Sequence, residues 1–295
     1  MSEPMSKSDL RSGQAPGRAV SPAANTPGSA SGNPSGLQAH LRQRPWLITV
    51  AFVLTCLALW ELAAARPGRP EYLLGPWRIL NEVLALAEGG GLAAQVLASL
   101  RRALLGFAIG GGLGLLLGLL AGVSRNFRDL FDLTQAFTHP VPKIALFPVV
   151  AVVLGFTDVS RVLIIAISAF FPAYLNAVNG ALGVNPRLLW VARNVGASRW
   201  RTFWQVLLPA SLPRAVVGLR ISLMVSFVLM VATEVVGHSN GLGAALMRAY
   251  REGAYGPMYA GIVCTALCGM AANALLGQAS RRLLAWQAHA GGHHG

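Results

Sequence analysis

Long apolar stretches divided by short polar segments constrain the fold of this chain more than any other feature. A helix needs about 20 apolar residues to cross a bilayer, and stretches of that kind occupy residues 46–65, 159–178, 215–236 and 259–284. Apolar residues make up 54% of the sequence and charged residues only 12%, about half the charged share of a soluble domain. The pattern predicts an all-α membrane protein.

Two more apolar stretches are interrupted by residues that helices usually exclude. The first begins near residue 92 or 100 and ends at residue 123, and glycine recurs in it every four residues, which predicts tight packing against another helix. These glycines are Gly106, Gly110, Gly114, Gly118 and Gly122. The second, residues 133–156, contains Pro140, Pro142 and Pro148, so we expect it to be kinked or partly unwound. In total, the sequence predicts about six transmembrane helices.

Both ends of the chain lack apolar periodicity. Residues 1–44 are rich in Ser, Pro, Gly and Ala and are predicted to form a disordered tail, and residues 288–295 a flexible one. The membrane domain is therefore expected to span residues 45–287. The net charge of +13 comes mainly from arginines that lie between apolar stretches, which favours membrane topology over binding to nucleic acid. Their distribution predicts that both termini are cytoplasmic.

The segment of residues 185–213 is about as long as a transmembrane span but is too polar to form one. The segment contains four arginines, Arg187, Arg193, Arg199 and Arg201. We predict two short helices, residues 187–194 and 199–208, joined by a turn at residues 195–197. Ser198 is expected to cap the second helix at its N-terminus, and Pro209 and Pro213 are expected to end it.

The second of these helices carries one apolar stripe, formed by Trp200, Phe203, Trp204 and Leu207. An amphipathic helix of this kind can lie on the lipid surface or insert in the groove of a partner protein. The residue pattern alone leaves both alternatives open.

The same segment also carries a recognisable motif. The pattern A-x-x-x-G-A-x-x-x-x-x-F-x-x-x-x-L-P-x-x-x-P is met by Ala192, Gly196, Ala197, Phe203, Leu208, Pro209 and Pro213. It resembles the EAA motif of type I ABC-importer permeases, whose coupling helix docks in a cleft of the ATPase subunit. The resemblance implies a cytoplasmic coupling segment between spans four and five, with Arg199 and Trp200 also at the contact. Trp190 stands where the family usually has Glu, and Val191 where it has Ala.

Outside this segment, the chain is similar to the subfamily that imports sulfonates, taurine and nitrate. The matching positions include Ser99, Arg102, Glu234 and residues 239–243. The resemblance implies a permease of the cell inner membrane, a homodimer in the lipid bilayer that forms the pathway for a small anion. Its implied partners are cytoplasmic ABC ATPase subunits, which bind the ATP, and an extracytoplasmic solute-binding protein.

Charged residues inside the spans are the candidates for the translocation pathway. They are Lys143, Arg220 and Glu234. A buried cation suits an anionic cargo, whereas snorkelling, or pairing with Asp129, Asp132 or a phosphate head group, is the structural alternative. For Glu234 we favour a hydrogen bond to the turn at residues 239–241 over a gating role, because a carboxylate is a poor ligand for an anion.

The motifs of catalysis are missing from the sequence. It has no G-x-x-x-x-G-K-[ST], so the energy of ATP must come from another subunit. It also lacks H-E-x-x-H and G-x-S-x-G, and we expect no enzyme activity, metal or cofactor. The rival class is a channel or a membrane-embedded enzyme without an ATPase partner. A channel would not need the helix pair at 185–213, and a lipid-active enzyme would need intramembrane nucleophiles or paired acids.

Overall fold

The computed structural model describes residues 45–138, 141–237 and 240–285, and both predicted tails lie outside these ranges. Residues 1–54 and 55–295 form two compact units, and the described part of the first is the beginning of helix α1. Every regular element in the described ranges is helical. The helices are α1 (Pro45–Ala64), α2 (Pro76–Glu88), α3 (Gly91–Val123), α4 (Arg125–Thr138), α5 (Phe147–Leu154), α6 (Asp158–Leu182), α7 (Pro186–Asn194), α8 (Arg199–Thr202), α9 (Leu208–Gly237), α10 (Leu242–Arg251) and α11 (Tyr255–Leu283).

Five helices among the described residues are long and apolar enough to cross a membrane. They are α1, α3, α6, the continuous helix Arg199–Gly237 and α11. The predicted count of six is not confirmed, because residues 133–156 do not form one helix. Helix α4 ends at Thr138, and a 3-10 turn at Lys143–Leu146 leads into the short α5. The expected unwinding of this proline-rich stretch is therefore confirmed.

The glycine-lined face of α3 packs along α6. The backbone or side chains of Ile165, Ala166, Phe170, Tyr174 and Ala181 lie against Gly106, Gly110, Gly114, Gly118 and Gly122 in that order. A Cβ atom built on Gly118 would lie 2.5 Å from the carbonyl oxygen of Tyr174, closer than real atoms approach. The glycines thus let two helix backbones touch. Helices in lipid depend on such close packing, because the hydrophobic effect does not drive them together. The predicted close packing of this face is confirmed.

Helix α9 completes the core and runs antiparallel to α3 and α6. Its residue Ser222 donates a hydrogen bond of 2.6 Å to the carbonyl oxygen of Ala169 on α6. Around this contact, apolar side chains of the three helices form the largest buried cluster, whose members are Ala103, Ile165, Leu223, Phe227 and Met230. Since these side chains and the glycine face fix the three helices together, they form the frame that holds the sites described below.

The expectation that Pro209 and Pro213 end a helix is wrong. Helix α8 passes through a π-helical turn, Phe203–Leu207, directly into α9, and Pro213 lies inside α9. In the π turn, the N–H of Leu208 donates to the carbonyl of Phe203, one residue further back than in an α-helix. Such a turn adds a residue to the helix and relieves the backbone where the regular hydrogen-bond ladder is interrupted. The second predicted short helix is therefore the beginning of a span.

The acidic residue at the far end of the first span has a structural role. A carboxylate oxygen of Glu61 accepts a hydrogen bond of 3.1 Å from the backbone N–H of Trp77. Trp77 lies in the first turn of α2, where backbone N–H groups have no helical partner and negative charge is favourable. Glu61 thus ties the end of α1 to the start of α2.

Candidate functional site

The turn between α7 and α8 has the geometry that its sequence predicts. Asn185 caps α7, its side-chain oxygen accepting from the N–H of Arg187 at 2.9 Å. At the other end, Gly196 has φ of 73°, a left-handed conformation that residues with a Cβ atom rarely adopt. The N–H of Ala197 donates to the carbonyl of Ala192 at 3.0 Å, and the N–H of Gly196 to that of Arg193 at 3.0 Å.

These two hydrogen bonds form a Schellman motif, which ends helices at a glycine and satisfies their last carbonyls. The motif explains one of the recognised positions, because Gly196 supplies its left-handed residue. Ala192 and Ala197 are joined by its i to i−5 backbone hydrogen bond, and Ala192 is also buried, which favours a small side chain at that position.

The start of α8 is capped as expected. The hydroxyl of Ser198 accepts a hydrogen bond of 3.2 Å from the N–H of Arg201. The four arginines of residues 185–213 are all exposed, and the guanidinium of Arg201 donates a hydrogen bond of 2.9 Å to the side-chain oxygen of Gln205. A groove of about 430 Å³ lies between α7 and the π turn and is lined by Val191, Ala192 and Arg201, among others.

The apolar stripe of the segment divides into an anchor and an exposed part. Leu207 is 7% exposed and packs with Leu119, Ala177 and Ala181 at the ends of α3 and α6. Phe203 and Leu208 border the same cluster. The motif positions 203 and 208 thus fasten the segment to the helical frame.

The other part of the stripe is exposed in the part of the chain that the structure describes. Trp200 is 71% exposed and Trp204 49%, and their rings contact each other at a centroid distance of 5.5 Å. Trp190 on α7 and Val195 directly after it are also exposed. Ring contacts and helix caps fix the positions of these large side chains, but the side chains are exposed. The surface that they form is therefore suited to binding a partner protein or lipid.

A second arrangement of polar residues lies at the opposite ends of the core helices, and it is buried. The carboxylate of Glu234, which is fully buried, accepts from Ser99 Oγ at 2.8 Å, from Arg102 Nη1 at 2.7 Å and from the N–H of Gly243 at 2.9 Å. Ser99 in turn accepts from the N–H of Leu242 at 2.8 Å. The contacts join α3, α9 and the start of α10.

Arg102 also connects this group to α6. Its guanidinium donates to a carboxylate oxygen of Asp158 at 2.8 Å and to the carbonyl of Asn240 at 2.6 Å. Arg161 adds bonds to Asp158 at 3.3 Å and to the carbonyl of Gly237 at 3.3 Å, and the exposed Arg101 pairs with Asp158. We call Ser99, Arg102, Asp158, Arg161 and Glu234 the ion cluster.

The sequence did not predict the ion cluster, although it held a signal. Arg101 and Arg102 are unusual in an apolar stretch, and α3 begins at Gly91, so both lie inside the helix. The carboxylate of Glu234 accepts hydrogen bonds from Ser99, Arg102 and the N–H of Gly243. The predicted bond to the turn at residues 239–241 lies partly outside the described residues, and the choice between a structural and a gating role stays a prediction.

The three candidate pathway residues do not come together. Glu234 belongs to the ion cluster, whereas Lys143 lies at a cavity between the 3-10 turn, α6 and α9. The guanidinium of Arg220 lies beside Gly277 of α11, and its Nε has no hydrogen-bond partner in the part of the chain that the structure describes. Asp129, a predicted partner of these cations, lies near Arg125 instead, at 4.0 Å, and the side chain of Asp132 lies outside the described residues.

The fold defines a multi-span helical membrane protein with an exposed helix pair between two of its spans. The profile of the family described as binding-protein-dependent transport system inner membrane component matches residues 114–285. The chain belongs to this family, which consists of the membrane permease components of ABC transporters and not of enzymes.

Curated relatives cover most of the chain. It is 32% identical to the aliphatic sulfonates transport permease protein SsuC of Bacillus subtilis, over 82% of this chain and 88% of that protein. It is 30% identical to the taurine transport system permease protein TauC of Escherichia coli, over 81% of this chain and 88% of that protein. The nitrate import permease protein NrtB of Leptolyngbya laminosa is 29% identical, over 79% of this chain and 85% of that protein.

A solved structure shares the fold. An inward-facing structure of the MetNI methionine ABC transporter matches with a TM-score of 0.56 at 21% identity, covering 67% of this chain and 98% of that chain. The match supports the arrangement of helices described above. The role of the chain as a permease component of an ABC transporter rests on the family.

Proposed function

We propose that this protein forms the membrane pathway of an ATP-driven importer of small anions and that the ATPase docks on residues 185–213. The observation that carries the proposal is the exposed apolar surface at Trp200 and Trp204, fixed by the Schellman turn at Gly196. A surface that is held in shape by its own helix caps and is exposed among the described residues is what a docking site for a partner requires. Its four exposed arginines suit an acidic rim around the cleft of the ATPase.

The continuous helix Arg199–Gly237 supports a direct mechanical connection from this surface to the pathway. Its first turns carry Trp200 and Trp204, and its later turns carry Val225 and Val228, which line the cavity at Lys143. A shift of α8 when the ATPase closes would therefore move the wall of that cavity. Rigid-body movement of packed helices is a common way in which such proteins switch between two states.

The remaining parts of the proposal concern topology and assembly. Both termini lie in the cytoplasm, two copies of the chain enclose the pathway, and a solute-binding protein delivers the anion on the outer face. The bias of Arg and Lys toward one set of loops supports the orientation. In this orientation the ion cluster lies at the outer ends of the helices. Lys143 and Arg220 are the proposed pathway cations, and Glu234 is assigned to the ion cluster.

The docking site is tested with the complete complex in detergent. Gly196→Arg places a large side chain at a left-handed position on the proposed surface, and we expect it to abolish co-purification of the ATPase and ATP-dependent uptake. Gly253→Arg is the matched control, because Gly253 also has a positive φ, 70°, with open space around it, but follows α10. It should retain both activities.

Equal recruitment of the ATPase by the wild type and by Gly196→Arg would overturn the docking site. If Gly196→Arg and Gly253→Arg both lost recruitment of the ATPase, backbone strain would explain the loss, and this result would also contradict the docking site. The fraction of each variant that elutes as a monodisperse species in size-exclusion chromatography shows that the protein has folded.

The identity of the anion is proposed from the relatives, whose names specify aliphatic sulfonates, taurine and nitrate. In importers of this kind, the binding protein selects the cargo. Thermal-shift screening of the binding protein encoded beside this chain against these anions tests the proposal. A binding protein that is stabilised only by a cation or a neutral sugar would overturn it.

A further inference from the structure

A groove on the surface of the bundle runs between α3 and α6 and begins at the ion cluster. It has a volume of about 440 Å³. Arg101, Arg102 and Asp158 line one end of it. The other lining residues are all apolar, and they are Leu105, Ile109, Val159, Val162, Leu163 and Ala166. The groove thus joins a charged end to an apolar trough.

The charged end of the groove lies where α6 enters the membrane. Helix α6 begins at Asp158, and Asp158 pairs with Arg101 of α3. From this pair the two helices run side by side in the same direction. Leu105 and Ile109 follow Arg101 at intervals of four residues, so they lie on the same face of α3, about 6 and 12 Å further along the helix. The groove therefore has its charges at the level of lipid head groups and its apolar walls at the level of acyl chains.

Arg101 brings a positive charge that the ion cluster does not balance. The cations of the cluster are Arg102 and Arg161, and its anions are Asp158 and Glu234. Arg101 is a third cation, whose one carboxylate partner among the described residues is Asp158. Asp158 already accepts from Arg102 at 2.8 Å and from Arg161 at 3.3 Å. Three arginines thus face two carboxylates, which leaves one positive charge in excess.

Of the three arginines, Arg101 is the one that an anion can reach. The side chains of Arg102 and Arg161 are 2% and 3% exposed, whereas that of Arg101 is 62% exposed. A guanidinium has five N–H donors, and the pair with Asp158 uses one nitrogen of Arg101. The planar guanidinium group matches the oxygens of a phosphate, which it often binds through two parallel hydrogen bonds.

The apolar walls indicate that the anion has a long apolar part. Leu105 is 47% exposed and Ile109 48%, and both lie directly along the helix from Arg101. An acyl chain in the groove gains little from the hydrophobic effect, because the surrounding lipid is equally apolar. Selection among lipids must therefore come from the head group. A zwitterionic head group carries a cation of its own, whereas a head group of net negative charge neutralises the excess charge at Arg101.

We propose that the groove between α3 and α6 is a binding site for an anionic phospholipid. The phosphate lies against Arg101, and one acyl chain lies along Leu105 and Ile109. Such a lipid bridges α3 and α6 beside the ion cluster and balances its charge, so the stability of the subunit depends on the lipids around it. The proposal is independent of the docking of the ATPase and of the identity of the cargo.

The head-group part of the site is tested with the full-length chain in detergent, by native mass spectrometry. The probes are phosphatidylglycerol, which is anionic, and phosphatidylcholine, which is zwitterionic, with the same acyl chains. We expect the wild type to bind phosphatidylglycerol about tenfold more tightly, the size of one charge-assisted hydrogen bond. Arg101→Met should remove this preference, and Arg101→Lys should keep it within about threefold of the wild type, since it keeps the charge.

Arg125→Met is the matched control for the charge. Arg125 is also an exposed cation near one aspartate, Asp129 at 4.0 Å, but it follows the opposite end of α3. The variant should retain the preference for phosphatidylglycerol. An equal preference in Arg101→Met and the wild type would overturn the proposal. So would equal losses in Arg101→Met and Arg125→Met, because a general attraction of lipids to the basic surface would then explain the binding.

The acyl-chain part of the site is tested by filling the groove. Ile109→Trp keeps every charge, and we expect it to lower the affinity for phosphatidylglycerol to that of the wild type for phosphatidylcholine. Leu163→Trp, on the wall formed by α6, replaces it should Ile109→Trp not elute as a monodisperse species. Leu116→Trp is the control, because Leu116 is 60% exposed on α3 but does not line the groove. Undiminished binding in a folded groove variant would overturn the proposal.

Two further measurements separate the lipid from other occupants of the groove. Phosphatidylglycerol should raise the melting temperature of the wild type, and millimolar inorganic phosphate should neither do so nor displace the lipid. Displacement by inorganic phosphate would identify a site for a free anion and would overturn the lipid site. If Ile109→Trp instead separated a dimer of the wild type into single chains in size-exclusion chromatography, a second copy would cover the groove, and the lipid site would be wrong.

Discussion

The two polar regions of this molecule are built in opposite ways. In the ion cluster, buried charges are matched by opposite charges and by hydrogen bonds on three core helices. In residues 185–213, the four arginines and three tryptophans are exposed, and backbone hydrogen bonds and helix caps hold the segment in shape. The charges of the first region lie beside opposite charges on neighbouring helices, whereas the large side chains of the second are exposed in the described part of the chain. We therefore expect substitutions in the first region to change stability and substitutions in the second to change binding.

The largest effect is expected in the ion cluster. Arg102→Met would remove the cation that donates a hydrogen bond to the buried carboxylate of Glu234, and breaking a buried ion pair costs about 3–5 kcal/mol. We expect a corresponding fall in the free energy of unfolding, measured by denaturation in detergent. Arg101→Met is the control, because Arg101 is 62% exposed and its pair with Asp158 is worth at most about 1 kcal/mol. Equal effects of the two substitutions would show that the cluster does not hold the helices.

A smaller loss of stability is expected where α3 touches α6. Gly118→Ala places a Cβ atom 2.5 Å from the carbonyl oxygen of Tyr174, and overpacking of this kind costs about 1–3 kcal/mol. Gly112→Ala is the control on the same helix, since a Cβ atom there meets nothing within 4 Å. It should be neutral or stabilising by up to about 1 kcal/mol. The same unfolding measurement applies, and a Gly118→Ala protein as stable as Gly112→Ala would contradict the close packing.

The exposed region should respond in binding and not in stability. Trp200→Ala is expected to weaken the affinity for the ATPase by about 2 kcal/mol, roughly 30-fold, as for a tryptophan at the centre of an interface. The unfolding free energy should change little. Trp77→Ala, at a tryptophan that is 66% exposed at the start of α2, should leave the affinity intact. A titration of the immobilised permease with the ATPase measures the affinity of both variants. If Trp200→Ala lowered the free energy of unfolding but left the affinity unchanged, Trp200 would belong to the residues that stabilise the subunit.

The smallest effect is expected at the cap of α8. Ser198→Ala removes the acceptor of the Arg201 N–H, and loss of an N-cap costs about 1 kcal/mol. We expect faster hydrogen exchange at residues 199–202 and a modest loss of ATPase affinity. Ser198→Thr keeps the hydroxyl and should restore slow exchange. Unchanged exchange in Ser198→Ala would mean that the partner-facing helix does not depend on its own cap.

The features that depend on neighbouring residues were predictable from the sequence. The turn at Gly196 and the cap at Ser198 involve partners within five residues, so residue type alone specifies them. The glycine face of α3 was predictable because a repeat of four residues places small residues on one side of any helix. Its partner on α6 was not predictable from that repeat.

Long-range pairings explain what the sequence did not reveal. Glu234 is 132 residues from Arg102, and each charge looks isolated in its own apolar stretch until the fold brings them together. The continuity of α9 was missed for a different reason. Prolines usually end a helix, but the π turn before Pro209 changes the hydrogen-bond register, and nothing in the residue types alone predicts that turn.

The helix from Arg199 to Gly237 also acts as a long stiff rod. Its 39 residues correspond to about 58 Å at 1.5 Å per residue. Its far end is tied to α3 by the hydrogen bonds of Glu234 with Ser99 and Arg102. A push at the tryptophans would therefore travel along α9 to α3, and the packed helices would tilt as one body. A partner that moves the exposed end slightly can in this way change the width of the membrane pathway.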